Sequence, residues 1–168
     1  PSVESVDAAY LQVLQAEVLR YETVDAEARR RLPTDAAGAV RAWSSLVERN
    51  PGEPAVARDV AFATLDAGFP AAAALLLRRV IERRPWEPES WRMFAYALSL
   101  AGQRDFATLV YEVATSARWN SRFGDFQVIA QVDYLRHLTA EPASTSPALA
   151  RFEQRRVEQL RDEIEFDA

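Results

Sequence analysis

The sequence predicts an all-α fold, an α-solenoid of about three to four stacked antiparallel helix hairpins followed by a C-terminal amphipathic helix. The first observation behind it is an echo at thirty-four residues. Pro51-Gly52-Glu53-Pro54 returns as Pro85-Trp86-Glu87-Pro88, Gly68 as Gly102, Ala73 as Ala107, Leu77 as Tyr111 and Val80 as Ala114. Ala39, Trp43 and Leu46 precede Ala73, Leu77 and Val80 by the same interval, so part of an earlier copy is present. The second observation is helical spacing of apolar residues between short Gly- and Pro-containing connections, which favours antiparallel hairpins. A fixed period of this length marks a unit that cannot hide its apolar face without a neighbour.

Val6, Ala9, Tyr10, Val13 and Leu14 follow the i, i+3, i+4, i+7, i+8 rule and predict an amphipathic first helix. Glu22–Leu32 either continues that helix or breaks it, and Arg29-Arg30-Arg31 suits a solvated face near a helix C-terminus. Thr34 or Asp35 is a fitting N-cap for a helix reaching about Arg49, with Ala36, Ala39, Trp43, Leu46 and Val47 inward. Asn50-Pro51-Gly52 ends it, and Glu53-Pro54 starts the next, because proline in the first helical turn loses no hydrogen bond.

Ala57, Val60, Ala61 and Thr64 give the inward face of a helix ending at Gly68, which is free to take the left-handed conformation of a helix end. Pro70 opens its partner, with Ala73, Leu76, Leu77, Val80 and Ile81 inward. The next pair has Trp91, Phe94, Ala95 and Leu98 before Gly102, then Phe106, Ala107, Val110, Tyr111 and Ala114 before Trp119. Phe126–Leu138 reads as the first helix of a fourth unit, with Val128, Ile129, Val132 and Leu135 inward and no second helix in register. Residues 139–147 have linker composition. Over 148–168, Leu149, Phe152, Val157, Leu160 and Ile164 fit an amphipathic helix that caps the stack, binds a partner or self-associates.

These residues resemble the tetratricopeptide (TPR) repeat. Trp91, Ala95, Gly102 and Ala107 fill its signature places in one copy, with Tyr111 and Ala114 at second-helix packing positions. Ala61, Gly68, Ala73 and Pro85 fill them in the copy before, with Ala57 in place of the usual aromatic. Only Ala39, Trp43, Leu46 and Pro51 match in the first copy, and Trp119 replaces the proline that should close the third. The likeness covers about 35–138 within a repeat domain of 1–138. Arg84–Arg92 and Arg118–Gly124 are also similar to the C-terminal repeats of large bacterial envelope proteins with a vault/inter-alpha-trypsin (VIT) type domain. That likeness implies a multidomain parent of the cell envelope or periplasm, and a chain beginning with Pro1 rather than Met is expected to be an excised piece.

In the TPR family, ligands usually lie in the groove lined by the first helix of each unit. Carried over residue by residue, the resemblance implies Arg58, Phe62 and Leu65, then Arg92, Tyr96 and Ser99, then Phe123, Phe126 and Asp133 as a partner-binding groove. Arg58 and Arg92 lie thirty-four apart, so both guanidinium groups are candidates to grip one carboxylate; the alternative is that they bond Asp59, Asp66 or Glu89. Phe62 and Tyr96 stand where the carboxylate clamp of the family has asparagine, which favours an apolar or extended peptide instead.

Composition narrows the partner. A net charge of −5 disfavours nucleic acid, whose binding draws on counterion release by cationic groups. All the basic residues are arginine, as GC-rich coding would give, although arginine also offers planar bidentate contacts. No apolar run is long enough for membrane insertion. The absence of cysteine and the lone His137 leave neither a thiolate nor a multi-histidine metal site. His137, at a helix end, is expected in a dipole or solvent role, and Asp162-Glu163 on a charged helix gives no acid–base pair in a cleft. With no Gly-rich phosphate loop either, the expectation is a non-enzymatic scaffold without cofactor that binds a protein or peptide. The other expectation is a structural spacer or homo-oligomerisation module of a larger protein.

Overall fold

Prolines open and glycines close several helices of this chain. The computed structural model describes residues 3–140, 144 and 146–167, and among them the chain forms eight α-helices and no strand. These are α1 (Val3–Arg31), α2 (Ala36–Arg49), α3 (Pro54–Asp66), α4 (Pro70–Arg83), α5 (Pro88–Leu100), α6 (Arg104–Ser116), α7 (Gly124–Thr139) and α8 (Pro147–Asp167). A 3-10 turn, Ser121–Phe123, precedes α7. Pro54, Pro70 and Pro88 each occupy the first helical position, as their missing N–H predicts. Gly68 and Gly102 have φ +84° and +75°. After each, the chain turns back on the helix: Phe69 N–H donates to Thr64 O at 3.0 Å and Gln103 N–H to Leu98 O at 2.9 Å. Both are Schellman endings.

The chain divides into two compact units, Pro1–Val56 and Ala57–Ala168. In the first, α1 packs on α2. Asp35 caps α2 by accepting from Gly38 N–H at 2.8 Å, and Ala39, Trp43, Leu46 and Val47 are buried, while Ala36 is only half-buried. The Trp43 indole donates to Asp25 at 2.8 Å, and Asp25 also accepts from Arg29 at 2.8 Å. Glu22–Arg31 therefore continues α1, and its arginine run is a solvated face paired to Asp25 and Glu27. Of the predicted N-terminal stripe, Val13 is exposed; the side chains of Val6, Ala9, Tyr10 and Leu14 lie outside the described residues.

In the second unit, Ala61, Ala73, Ala95 and Ala107 are fully buried in one core with Leu77, Leu98 and Tyr111. α4 packs on α5, α5 on α6 and α7, α6 on α7, and α7 on α8. Small side chains are what let neighbouring helix axes come within about 8–10 Å. Two expected core residues sit further out. Phe106 is 47% exposed, its ring edge-on to Phe94 at 5.8 Å, and Trp91 is half-buried with its indole donating to Pro85 O at 2.9 Å. Leu76 is half-buried as well.

α7 presents a different face from the one its aliphatic residues predict. Ala130, Gln131, Tyr134, His137 and Leu138 are buried, whereas Val128 and Ile129 are exposed and Val132 and Leu135 half-buried. α5 and α7 run in the same direction, but Arg92 meets Asp133 and Ser99 meets His137, separations of 41 and 38 residues rather than thirty-four. The turn at Ser121–Phe123 accompanies this shift in register, and in place of a closing proline the Trp119 indole donates to Ala114 O at 2.8 Å.

The expected C-terminal helix follows α7 as α8. α8 runs back along it, with Glu153 tied to the groups that end α7 and Glu163 accepting from Gln131 at 3.2 Å. Its inward residues are Glu153, Arg156 and Leu160, with Leu149, Phe152, Val157 and Ile164 half-buried. Of the expected linker, 141–143 and 145 lie outside the described residues.

Candidate functional site

A cleft of about 510 Å³ opens between α5, α6 and α7. From α5 come Arg92, Met93, Tyr96 and Ser99, the i, i+1, i+4, i+7 positions of one face; from α7 come Asp133, Arg136 and His137, with Ala140 just past its end. Tyr111 of α6 is 1% exposed and lines the same cleft. Tyr96 is 41% exposed.

The cleft thus brings together Arg92, Tyr96, Ser99 and Asp133 of the groove set carried over by resemblance. Arg58, Phe62 and Leu65 are on α3, outside it; Phe62 is half-buried against the core and Leu65 is buried within it. Phe123 and Phe126 form their own edge-on pair at 6.3 Å, with the Arg122 guanidinium 4.5 Å from the Phe123 ring. The two arginines are committed locally. Arg58 lies 3.3 Å from Asp59 and 4.0 Å from Glu87. Arg92 makes a bidentate pair with Glu89 at 2.7 and 2.8 Å and a further bond to Asp133. The hydrogen bonds to Glu89, then that to Asp133, raise the Arg92 pKa despite its burial.

Behind Ser99 runs a buried polar chain. Ser99 Oγ is 2.8 Å from His137 Nδ1, His137 Nε2 is 2.9 Å from Thr108 Oγ1, and Thr108 donates to Glu153 Oε1 at 2.8 Å. The carboxylate can only accept, so it takes the Thr108 hydrogen. Thr108 must then accept from Nε2–H, which leaves Nδ1 as the acceptor for the Ser99 hydroxyl. The order of donors is fixed from cleft to α8. Burial, then the nearby Arg104 charge, lowers the His137 pKa to about 4, so the ring is neutral near pH 7. Arg104 donates to His137 O, Leu138 O and Ala140 O at 2.9–3.1 Å, which caps α7, and reaches Glu153 at 3.4 Å.

The lone histidine is therefore a buried, doubly bonded core group, and the helix-end solvent role expected for it is corrected. Sequence reasoning missed it because its partners come from α5, α6 and α8. The spacing Ala130, Tyr134, His137, Leu138 was the available signal, masked by two polar members of the buried face.

Among the described residues there is no cluster of three or more potential metal ligands, and no helix is long and apolar enough to cross a membrane. Comparison with protein-family models, with curated proteins and with solved structures returned no match.

Proposed function

We propose that this chain is a non-enzymatic interaction module, a TPR-like α-solenoid that holds an extended peptide or a partner domain along the face of α3, α5 and α7. The observation that carries this reading is the cleft between the parallel helices α5 and α7, where half-exposed Tyr96 and Met93 stand beside polar groups. Apolar walls with a few convergent polar groups are the usual make-up of a ligand site. The thirty-four-residue period and the left-handed glycines at matching helix ends support the repeat assignment. Screening the full chain against an array of end-blocked pentapeptides tests it. Retention of a subset, with backbone amide shifts concentrated in α5 and α7, is the expected result; no retained peptide, or shifts confined to other helices, overturns it.

One observation favours the second reading, a self-associating spacer. Phe106, Leu109 and Val113 form an exposed apolar ridge at i, i+3, i+7 on α6, and Leu75 is exposed at the equivalent position to Leu109 on α4. Concentration-dependent sedimentation, abolished by Leu109→Glu, is the result that would favour it.

A further inference from the structure

The floor of the cleft presents a hydrogen-bond donor from which no described residue accepts. Tyr111 is almost wholly buried, its ring stacked on Tyr134 at 5.3 Å, yet among the described residues its hydroxyl has no hydrogen-bond partner. The hydroxyl faces the cleft: Tyr111 lines it, and although the residue is only 1% exposed its oxygen is not fully buried. Among the described residues no group accepts from the hydroxyl, and its oxygen is open to the cleft. Burial and the Asp133 charge keep it protonated, so it donates.

Ser99 supplies the complementary group. Its hydrogen is committed to His137 by the donor order running to Glu153, so Ser99 Oγ turns only lone pairs to the cleft. Arg92 is held by Glu89 and Asp133, and Asp133 also accepts at 3.3 Å from Arg136, whose side chain is otherwise largely exposed to solvent. The vacancies are therefore one neutral donor and one neutral acceptor, beside a thioether and a half-exposed aromatic ring.

We infer that the cleft seats a main-chain amide of an extended peptide, its carbonyl accepting from the Tyr111 hydroxyl and an N–H donating to Ser99 Oγ, with an adjacent apolar side chain against Tyr96 and Met93. This rests on the interaction-module reading and specifies the chemistry of its site. A peptide amide presents both functions without charge, which matches a floor whose buried charges, Arg92 and Asp133, are already paired with each other. A carboxylate would meet the Asp133 charge.

The test uses the full chain and the best-retained pentapeptide of an acetylated, C-amidated array. Tyr111→Phe should weaken that peptide about tenfold, the worth of one hydrogen bond, while leaving Tm little changed. Replacing single peptide amides by esters, which deletes one N–H at a time, should weaken binding about tenfold at one position and little elsewhere. That second measurement needs no protein variant. Peptides retained equally by wild type and Tyr111→Phe, with no ester-sensitive position, would overturn this site and leave the interaction module standing. An array with no retained peptide would overturn both.

Discussion

Arg92 on α5 reaches across to Asp133 on α7, and each side chain is less than one-fifth exposed. The pair ties two helices whose residues are 41 apart in sequence. Removing one member leaves the other poorly solvated, so Asp133→Ala should lower stability by about 2–3 kcal/mol in urea unfolding. Arg92→Met combined with Asp133→Ala should cost less than the sum of the two single changes; strictly additive costs would show that the pair does not couple the helices. Arg92→Glu would place a third carboxylate beside Glu89 and Asp133 and destabilise the fold. Charge reversal to probe binding belongs at Arg58 alone.

His137 makes stability depend on pH. Its pKa in the folded chain, about 4, lies below the ordinary value of 6.5, so the unfolded chain takes up the proton first. The stability it contributes is complete above about pH 6.5 and is lost as pH falls toward 4. Between pH 7 and 5 the loss should be about 2 kcal/mol. His137 is the single histidine, so urea midpoints over that window report on it, and His137→Gln should flatten the profile. An unchanged slope in the variant would refute the assignment.

Gly68→Ala and Gly102→Ala should each cost about 1–2 kcal/mol, because both residues have positive φ. An added Cβ would meet nothing within 4 Å at either site, so the cost is conformational rather than steric. Asparagine, which tolerates that conformation better, should cost less. Gly52→Ala, with φ outside that region and equally open surroundings, is the control and should be near neutral in thermal unfolding.

Ala73→Leu and Ala107→Leu insert three heavy atoms where the residue is fully buried, and should each cost about 1–3 kcal/mol. Trp91→Ala should cost only about 1–2 kcal/mol, since the ring is half-buried and loses one bond to Pro85 O. Wild-type melting of both leucine variants would contradict the packing of the second unit.

Features set by local chemistry are the ones readable from sequence. Proline at positions 54, 70 and 88 and glycine at 68 and 102 mark helix ends through their own backbones, and Ala61, Ala73, Ala95 and Ala107 are buried as their spacing requires. The face of α7 is not of that kind. His137 is buried because Ser99, Thr108 and, through Thr108, Glu153 provide for its ring nitrogens, and buried Gln131 has its amide N–H taken by Glu163 while its Oε1 has no partner among the described residues; those partners lie 29 to 38 residues away or are reached through such a residue. Four groove residues, Arg92, Tyr96, Ser99 and Asp133, meet in one cleft because they lie on adjoining faces of α5 and α7. That Arg58 and Arg92 are paired within the fold follows from carboxylates one, three, 29 and 41 residues away, of which only the first two are visible locally.

Trp43 is fully buried, bonded to Asp25 and approached by the Arg29 guanidinium at 6.0 Å, and it is the single tryptophan of Pro1–Val56. Replacing Trp86, Trp91 and Trp119 by phenylalanine would therefore leave one indole whose fluorescence belongs to the first unit. Its emission should be blue-shifted in the native chain and move to the red when α1 separates from α2, which gives that helix pair an optical signal of its own.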